Sequence, residues 1–323
     1  MIRYIIKRLL IIIPILIGIS FIVQLLLSVT PGDPARIIAG SDAEEWEYLQ
    51  IREELGLDDP LLVRYGRFIG GVVRGDLGQS FHTKRPVLAD IMSRFPYTFL
   101  IATFSVALAV LIGITLGIYA ATHQYSWKDN TAILLSLICV SMPAFWFALL
   151  LVQFFSVNLR ILPVSGITKW QGWILPVVSI ALGYAASITR QMRSNVLEFI
   201  RQDYIVTARA KGQTERKVLY RHALKNALIP VVMTIGSLYG MALGGTLIAE
   251  TIFSIPGLGS YTITGLTNRD YPVIQGSVLF ISAIYCIIIL LIDIVFAFID
   301  PRIRSQYVRK RKRMKEVYRI EKA

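Results

Sequence analysis

The chain has 323 residues, 54% of them hydrophobic, and its mean hydropathy is +0.58. A soluble core does not gather its apolar residues into runs of the roughly 20 that a helix needs to cross a bilayer, so a water-soluble fold is excluded. The formal charge of +13 does not require nucleic acid, because Lys and Arg retained in short cytoplasmic loops account for it.

Six charge-free runs meet the length requirement: residues 9–29, 95–122, 131–159, 170–189, 227–249 and 271–292. An all-α integral membrane protein with six transmembrane helices is therefore predicted. The first helix occupies residues 1–30. Arg3, Lys7 and Arg8 ahead of the first run also suit the basic start of a secretory signal. Its length and the sequence SVTPGDP at 28–34, which lacks a small-x-small pattern, favour an uncleaved span.

Residues 31–94 are acidic and mixed, with Asp42, Glu44, Glu45, Glu47, Glu53, Glu54, Asp58 and Asp59 crowded before Pro60. A small water-exposed helical insertion is expected here, too short for a separate domain. Leu61, Leu62, Tyr65, Phe68 and Ile69 recur at helical spacing, giving a face for the membrane domain or a partner. Residues 95–300 form a five-helix core, and 301–323 a basic cytoplasmic tail.

With the N-terminus inside, the cytoplasmic segments 1–8, 123–130, 190–226 and 300–323 hold 3, 1, 9 and 10 Lys or Arg. The external segments 30–94, 160–169 and 254–270 hold 8, 2 and 1. This bias places both termini in the cytoplasm. The 309–315 cluster RKRKRMK reads as a topology anchor and lipid contact.

Cys139 and Cys286 lie in predicted spans and behave as small hydrophobes. His82, His123 and His222 fall in predicted loops, and no Cys/His spacing suggests a metal site.

Ser105, Ala109, Gly113, Gly117 and Ala121 recur every four residues in the second run, as do Gly236, Gly240 and Gly244 in the fifth. Such faces let helix backbones approach closely. They suit packing within the chain, a subunit interface or a pathway wall; for the second run, packing within the chain is favoured. Glu250 and Asp293 sit near span ends, where each is either a structural carboxylate or part of a pathway.

Residues 191–228, between the fourth and fifth runs, carry apolar Tyr204, Ile205, Ala208, Leu219, Leu224 and Leu228 among their cations. An amphipathic piece of this kind is expected to dock in a partner's groove. Gly212 ends a short helix starting near Asp203, and Pro230 opens the fifth span at its first turn.

At these residues the chain resembles the inner-membrane permease subunits of ABC importers, in the dipeptide, oligopeptide and nickel branch. The resemblance covers nearly the whole chain. Its anchors are TPGDP (30–34), GLDDPLLVRYGRF (56–68), GDLGQSF (75–81), SMPAFW (141–146), LPVSG (162–166) and ILP (174–176). They continue with DYIVTARAKG (203–212), HALKNALIP (222–230), ETIFSIPGLG (250–259), NRDYPVIQG (268–276) and DPRIR (300–304).

The resemblance implies the type I importer fold in a bacterial or archaeal plasma membrane. It implies a second homologous permease as heterodimer partner, two ATPase subunits and an external substrate-binding protein delivering cargo near 31–94 and 254–274. Asp203, Tyr204, Thr207, Ala208, Ala210, Lys211 and Gly212 would form the EAA-loop coupling helix that seats in the ATPase. Where the family pattern has Glu and two alanines, this chain has Val206, Thr207 and Ala208. The implied cargo is di- or oligopeptide, with nickel or a nickel chelate as the alternative because the 162–176 stretch is short.

No G-x-x-x-x-G-K-[ST] loop occurs in the chain, so ATP and Mg are expected on the partner ATPases, with no cofactor, metal or catalytic residue here. A proton-coupled carrier using Glu250 and Asp293 is the rival reading. A membrane hydrolase is weaker, since Ser141 and Ser282 have no His at their depth.

Overall fold

The computed structural model describes residues 2–40 and 43–299. The tail at 301–323, its 309–315 cluster and the DPRIR motif lie outside the described residues. Among these, regular structure is helical, with one isolated bridge between Gln79 and Pro86.

Helix α1 (Ile2–Val29) leaves Leu10, Ile13 and Leu26 exposed, as a lipid-facing helix does. Ser20, Gln24 and Leu27, in the second half of the helix, are buried at helical spacing. Asp33 then caps α2 (Pro34–Ala39) by accepting the Ala35 amide at 2.9 Å.

The insertion continues with α3 (Glu45–Glu54) and α4 (Leu61–Val73). Arg52 ties its start to its middle, reaching Asp33 and Asp58 at 2.5 Å each and the Tyr48 hydroxyl at 2.9 Å. The expected apolar face of α4 is used in part. Tyr65 donates to the Ile17 carbonyl at 2.8 Å and meets Phe21 edge-on, and Phe68 joins a buried cluster with Leu77, Val87 and Leu258. Leu62 remains 71% exposed.

Helix α5 (Val87–Thr122) begins at Val87 rather than at Phe95 and runs for 36 residues. At 1.5 Å per residue this exceeds a hydrocarbon core of about 30 Å. The third predicted span requires correction. It consists of α6 (Trp127–Ser141) and α7 (Ala144–Leu151), the latter extended by a π-helical stretch Val152–Asn158, and the two halves are bent by 104°. Met142, forced out of the helical region by the following Pro143, makes the break. Among the described residues five helices are long and apolar enough to span, or six if the bent pair is one broken span.

Helix α8 (Ile174–Phe199) continues past Thr189 into the segment expected as a loop. Next come α9 (Asp203–Ala210), the short α10 (Glu215–Lys217), a π-helical turn Val218–Ala223 and α11 (Leu224–Ile252). The last three run on without a break, which places His222 on a helix. Pro230 consequently lies inside the helix rather than at its first turn, because the residues preceding it, HALKN, are themselves helical. Helices α12 (Leu258–Thr267) and α13 (Tyr271–Ile299) complete the fold.

The core forms where α5, α8 and α11 meet, around Ala109, Ile188, Met192 and Val231. The small face of α5 packs within the chain. A Cβ placed on Gly113 would lie 2.6 Å from Ile188 Cβ, and one on Gly117 2.6 Å from Met192 Cβ. Close backbone approach of this kind supplies dispersion contacts where lipid provides no hydrophobic drive. Gly236 and Gly240 are likewise covered, by Ile292 and Tyr285 of α13.

Candidate coupling site

The candidate site is built on α9, eight residues whose ends are both fixed. Asp203 places a carboxylate in the first turn, where the helix dipole favours it. At the other end Gly212 takes φ +75°, the Gln213 amide reaches the Ala208 carbonyl at 3.4 Å and the Gly212 amide reaches Arg209 O at 2.9 Å. This pair of bonds is a Schellman closure, and it needs the residue without a Cβ at that position.

Ile205 and Ala208 turn inward and pack with Val218, Ala223 and Ile200. This corrects two expectations. Ala208 belongs to the internal packing rather than to the docking face, being 6% exposed. Ile205 and Leu219 are buried, and Leu224 and Leu228 pack against the main core, so these apolar residues seat the loop on its own chain. The outward side of α9 carries Asp203, Tyr204, Val206, Thr207 and Ala210, with Lys211 and Gly212 exposed just beyond it. Val206, 58% exposed, is the residue that sequence reasoning misses. Its signal is present, because 203, 206, 207 and 210 share a face once 205 and 208 are assigned inward.

Three polar ties bind α9 and its exit loop to the following helix. Asn226 donates to the Tyr204 hydroxyl at 3.0 Å, His222 Nε2 and Gln213 Oε1 are 2.7 Å apart, and Arg209 grips Glu215 through Nε at 2.7 Å and Nη2 at 3.1 Å. The hydrogen bonds from Arg209 to Glu215 raise the guanidinium above its ordinary value, so it stays charged. Nearby, Asp129 at the start of α6 is 1% exposed and accepts two bonds from Arg193 of α8, at 2.6 and 2.7 Å.

At the opposite end of α11, Glu250 is fully buried. It accepts the Thr98 hydroxyl at 2.6 Å and the Ser260 amide at 2.9 Å, at the N-terminus of α12. Gly257 and Gly259 approach its carboxyl closely enough to leave no room for a side chain. Asp293 pairs with Arg8 at 2.9 Å, joining the first and last spans. Gly244 meets no neighbouring side chain and lines a crevice of about 450 Å³ between α1, α11 and α13. Glu250 and Asp293 thus both have partners within the chain, and the structure does not bring them together with the residues of α9.

Spanning helices of this kind, with the short helix α9 presented between the fourth and fifth spans, define the translocation subunit of an ABC importer of the type I fold. The chain matches the binding-protein-dependent transport system inner membrane component over residues 113–305, and the N-terminal component of the same systems over 1–102. It belongs to that family of multi-pass inner-membrane permeases.

Among curated relatives, the glutathione transport system permease protein GsiC of Salmonella paratyphi A is 41% identical over 304 residues, 94% of this chain and 99% of that protein. GsiC of Escherichia coli K12 is 40% identical over the same length, with the same coverage. Among solved structures, an inward-facing form of the MetNI methionine ABC transporter aligns with a TM-score of 0.56 at 17% identity, covering 65% of this chain and 96% of that one. An amino acid ABC transporter with histidines gives 0.52 at 15% identity, covering 66% and 94%. These two likenesses establish the fold. Family membership displaces the proton-coupled carrier and the hydrolase as readings of the chain.

Proposed function

We propose that this subunit moves di- or oligopeptides from an external binding protein to the cytoplasm by alternating access, driven by ATP hydrolysis on two separate ATPase subunits. The observation that carries the proposal is the outward face of α9, a strip of Tyr204, Val206, Thr207 and Ala210 that the rest of the chain leaves uncovered while fixing its ends. In this reading ATPase closure pushes on that strip, and the ties from Tyr204, Gln213 and Arg209 pass the displacement to α11. The permease supplies no covalent chemistry; ATP and Mg are bound by the ATPases.

The subunit pairs with a second, homologous permease and lies in a bacterial inner membrane with both termini in the cytoplasm. The peptide assignment is supported by similarity to permeases of glutathione systems, since glutathione is a tripeptide. The test is reconstitution with the partner subunits and binding protein in liposomes. ATP-dependent, vanadate-sensitive uptake of labelled dipeptide or glutathione is expected. Uptake of labelled nickel with no peptide uptake would transfer the assignment to the metal alternative.

A further inference from the structure

We propose that the external cleft between α4 and the outer end of α13 is a binding site for a short zwitterionic peptide, with its carboxylate on Arg64 and its ammonium group on Asp76. The cleft has a volume of about 300 Å³ and is lined by both residues, which places it at the small end of ligand sites. Its walls include Leu57, Phe68, Phe81 and Pro272, an apolar surround for a side chain.

The charges explain the choice of ligand. Arg36, Arg52, Arg67 and Arg85 of the insertion each hold a carboxylate, at 3.3, 2.5, 2.6 and 2.8 Å. Arg94 lies over the Tyr261 ring, and Arg74 stands in water at a helix end. Arg64 lines a cleft yet makes no ion pair or hydrogen bond among the described residues, and its Nε is closed off from solvent. A guanidinium partly withdrawn from water without an anion carries a desolvation cost, which an arriving carboxylate offsets with a bidentate bond.

Asp76 forms no ion pair among the described residues either; its Oδ1 accepts only the Gly78 amide, at 2.8 Å. A cation and an anion that share a cleft without meeting suit a ligand carrying both charges.

The spacing is fixed by one helix. Arg64 stands on α4, and two turns later Gly71 accepts the Asp76 amide at 2.9 Å. Two turns span about 11 Å. That rise equals about three extended residues at about 3.5 Å each, so the elements carrying the two charges stand apart on the scale of a short peptide. The inference rests on the peptide reading above for the class of ligand alone.

The test uses the assembled importer in lipid nanodiscs, without binding protein, and measures binding of labelled Ala-Phe against its N-acetyl and C-terminal amide forms. Ala-Phe is expected to bind, and each cap to weaken it at least tenfold. Arg64→Gln should erase the preference for free acid over amide, Arg64→Lys should keep it, and Asp76→Asn should erase the preference for free amine over N-acetyl. Equal binding of capped and free peptides, or no binding of Ala-Phe to the unmutated importer, overturns the proposal. So does an Arg64→Gln variant that keeps the unmutated importer's preference for free acid over amide. Peptide uptake by the complete system is scored separately: uptake without cleft binding sinks this inference alone, whereas absent uptake sinks the peptide reading.

Discussion

Thr98 and Glu250 lie on different helices and share a short bond: the Thr98 hydroxyl donates to Glu250 Oε1 at 2.6 Å and itself accepts the Leu258 amide at 2.8 Å. One threonine thus connects α5, the end of α11 and the start of α12, at a carboxylate with no exposed surface.

Glu250→Ala should orphan the Ser260 amide and the Thr98 hydroxyl, at about 1–3 kcal/mol for each buried group left unpaired. We expect a lower thermal midpoint in detergent and reduced uptake. Glu250→Gln retains an acceptor oxygen and should preserve most of the uptake at every pH tested. Abolished transport in a well-expressed Gln variant would restore a proton-handling role for this residue.

Val206→Asp and Ala210→Trp alter the outward face of α9 without touching its packing. Each should cut binding-protein-stimulated ATPase activity by roughly tenfold, the loss that follows when about 1.4 kcal/mol of docking energy is removed. Folding, read by thermal stability of the isolated permease, should not change. Ala208→Trp should do the reverse and destabilise the loop, because overpacking a filled interior costs about 1–3 kcal/mol.

Gly113→Leu and Gly117→Leu force α5 away from α8, where even a single Cβ would come within 2.6 Å of a neighbour. We expect both to reduce the yield of folded permease, measured by size-exclusion after solubilisation. Gly244→Ala should be neutral, because no atom lies within 4 Å of the added carbon. A stable Gly117→Leu protein would contradict the packing described.

Removing Asp129 leaves Arg193 without its counterion. The expected loss is about 3 kcal/mol, the low end for a broken buried pair, because Arg193 keeps 21% of its side chain in contact with solvent. Asp129→Ala should lower the midpoint of thermal unfolding more than Arg193→Ala combined with Asp129→Ala. If the double variant is the less stable, the pair is not the reason Asp129 is buried.

Much of this architecture is legible in the sequence because the bilayer imposes a length rule that a run of charge-free residues either meets or fails. The spans holding α1, α5, α8, α11 and α13 follow from that rule, and the close packing at Gly113 and Gly117 follows from their four-residue spacing. The bend at Met142 escapes it, since hydropathy is blind to the direction of a chain and only the position of Pro143 carries the signal. Ala208 is ambiguous for a similar reason: in a helix of eight residues a small side chain suits either face, and the decision rests with Val218 and Ala223, which lie beyond the turn. The partners of Glu250 and Asp293 come from distant segments, Thr98 and Arg8, and no local pattern announces them.

From Glu215 to Ile252 the backbone never leaves the helix, even through Pro230 and the π-helical turn, a contour of about 55 Å at 1.5 Å per residue. Its inner end is clasped to α9 by Asn226 and Glu215, and its outer end to α12 by Glu250. We expect a displacement applied at α9 to reach the Glu250 contacts through this one helix, so that the docking face and the α12 end move together.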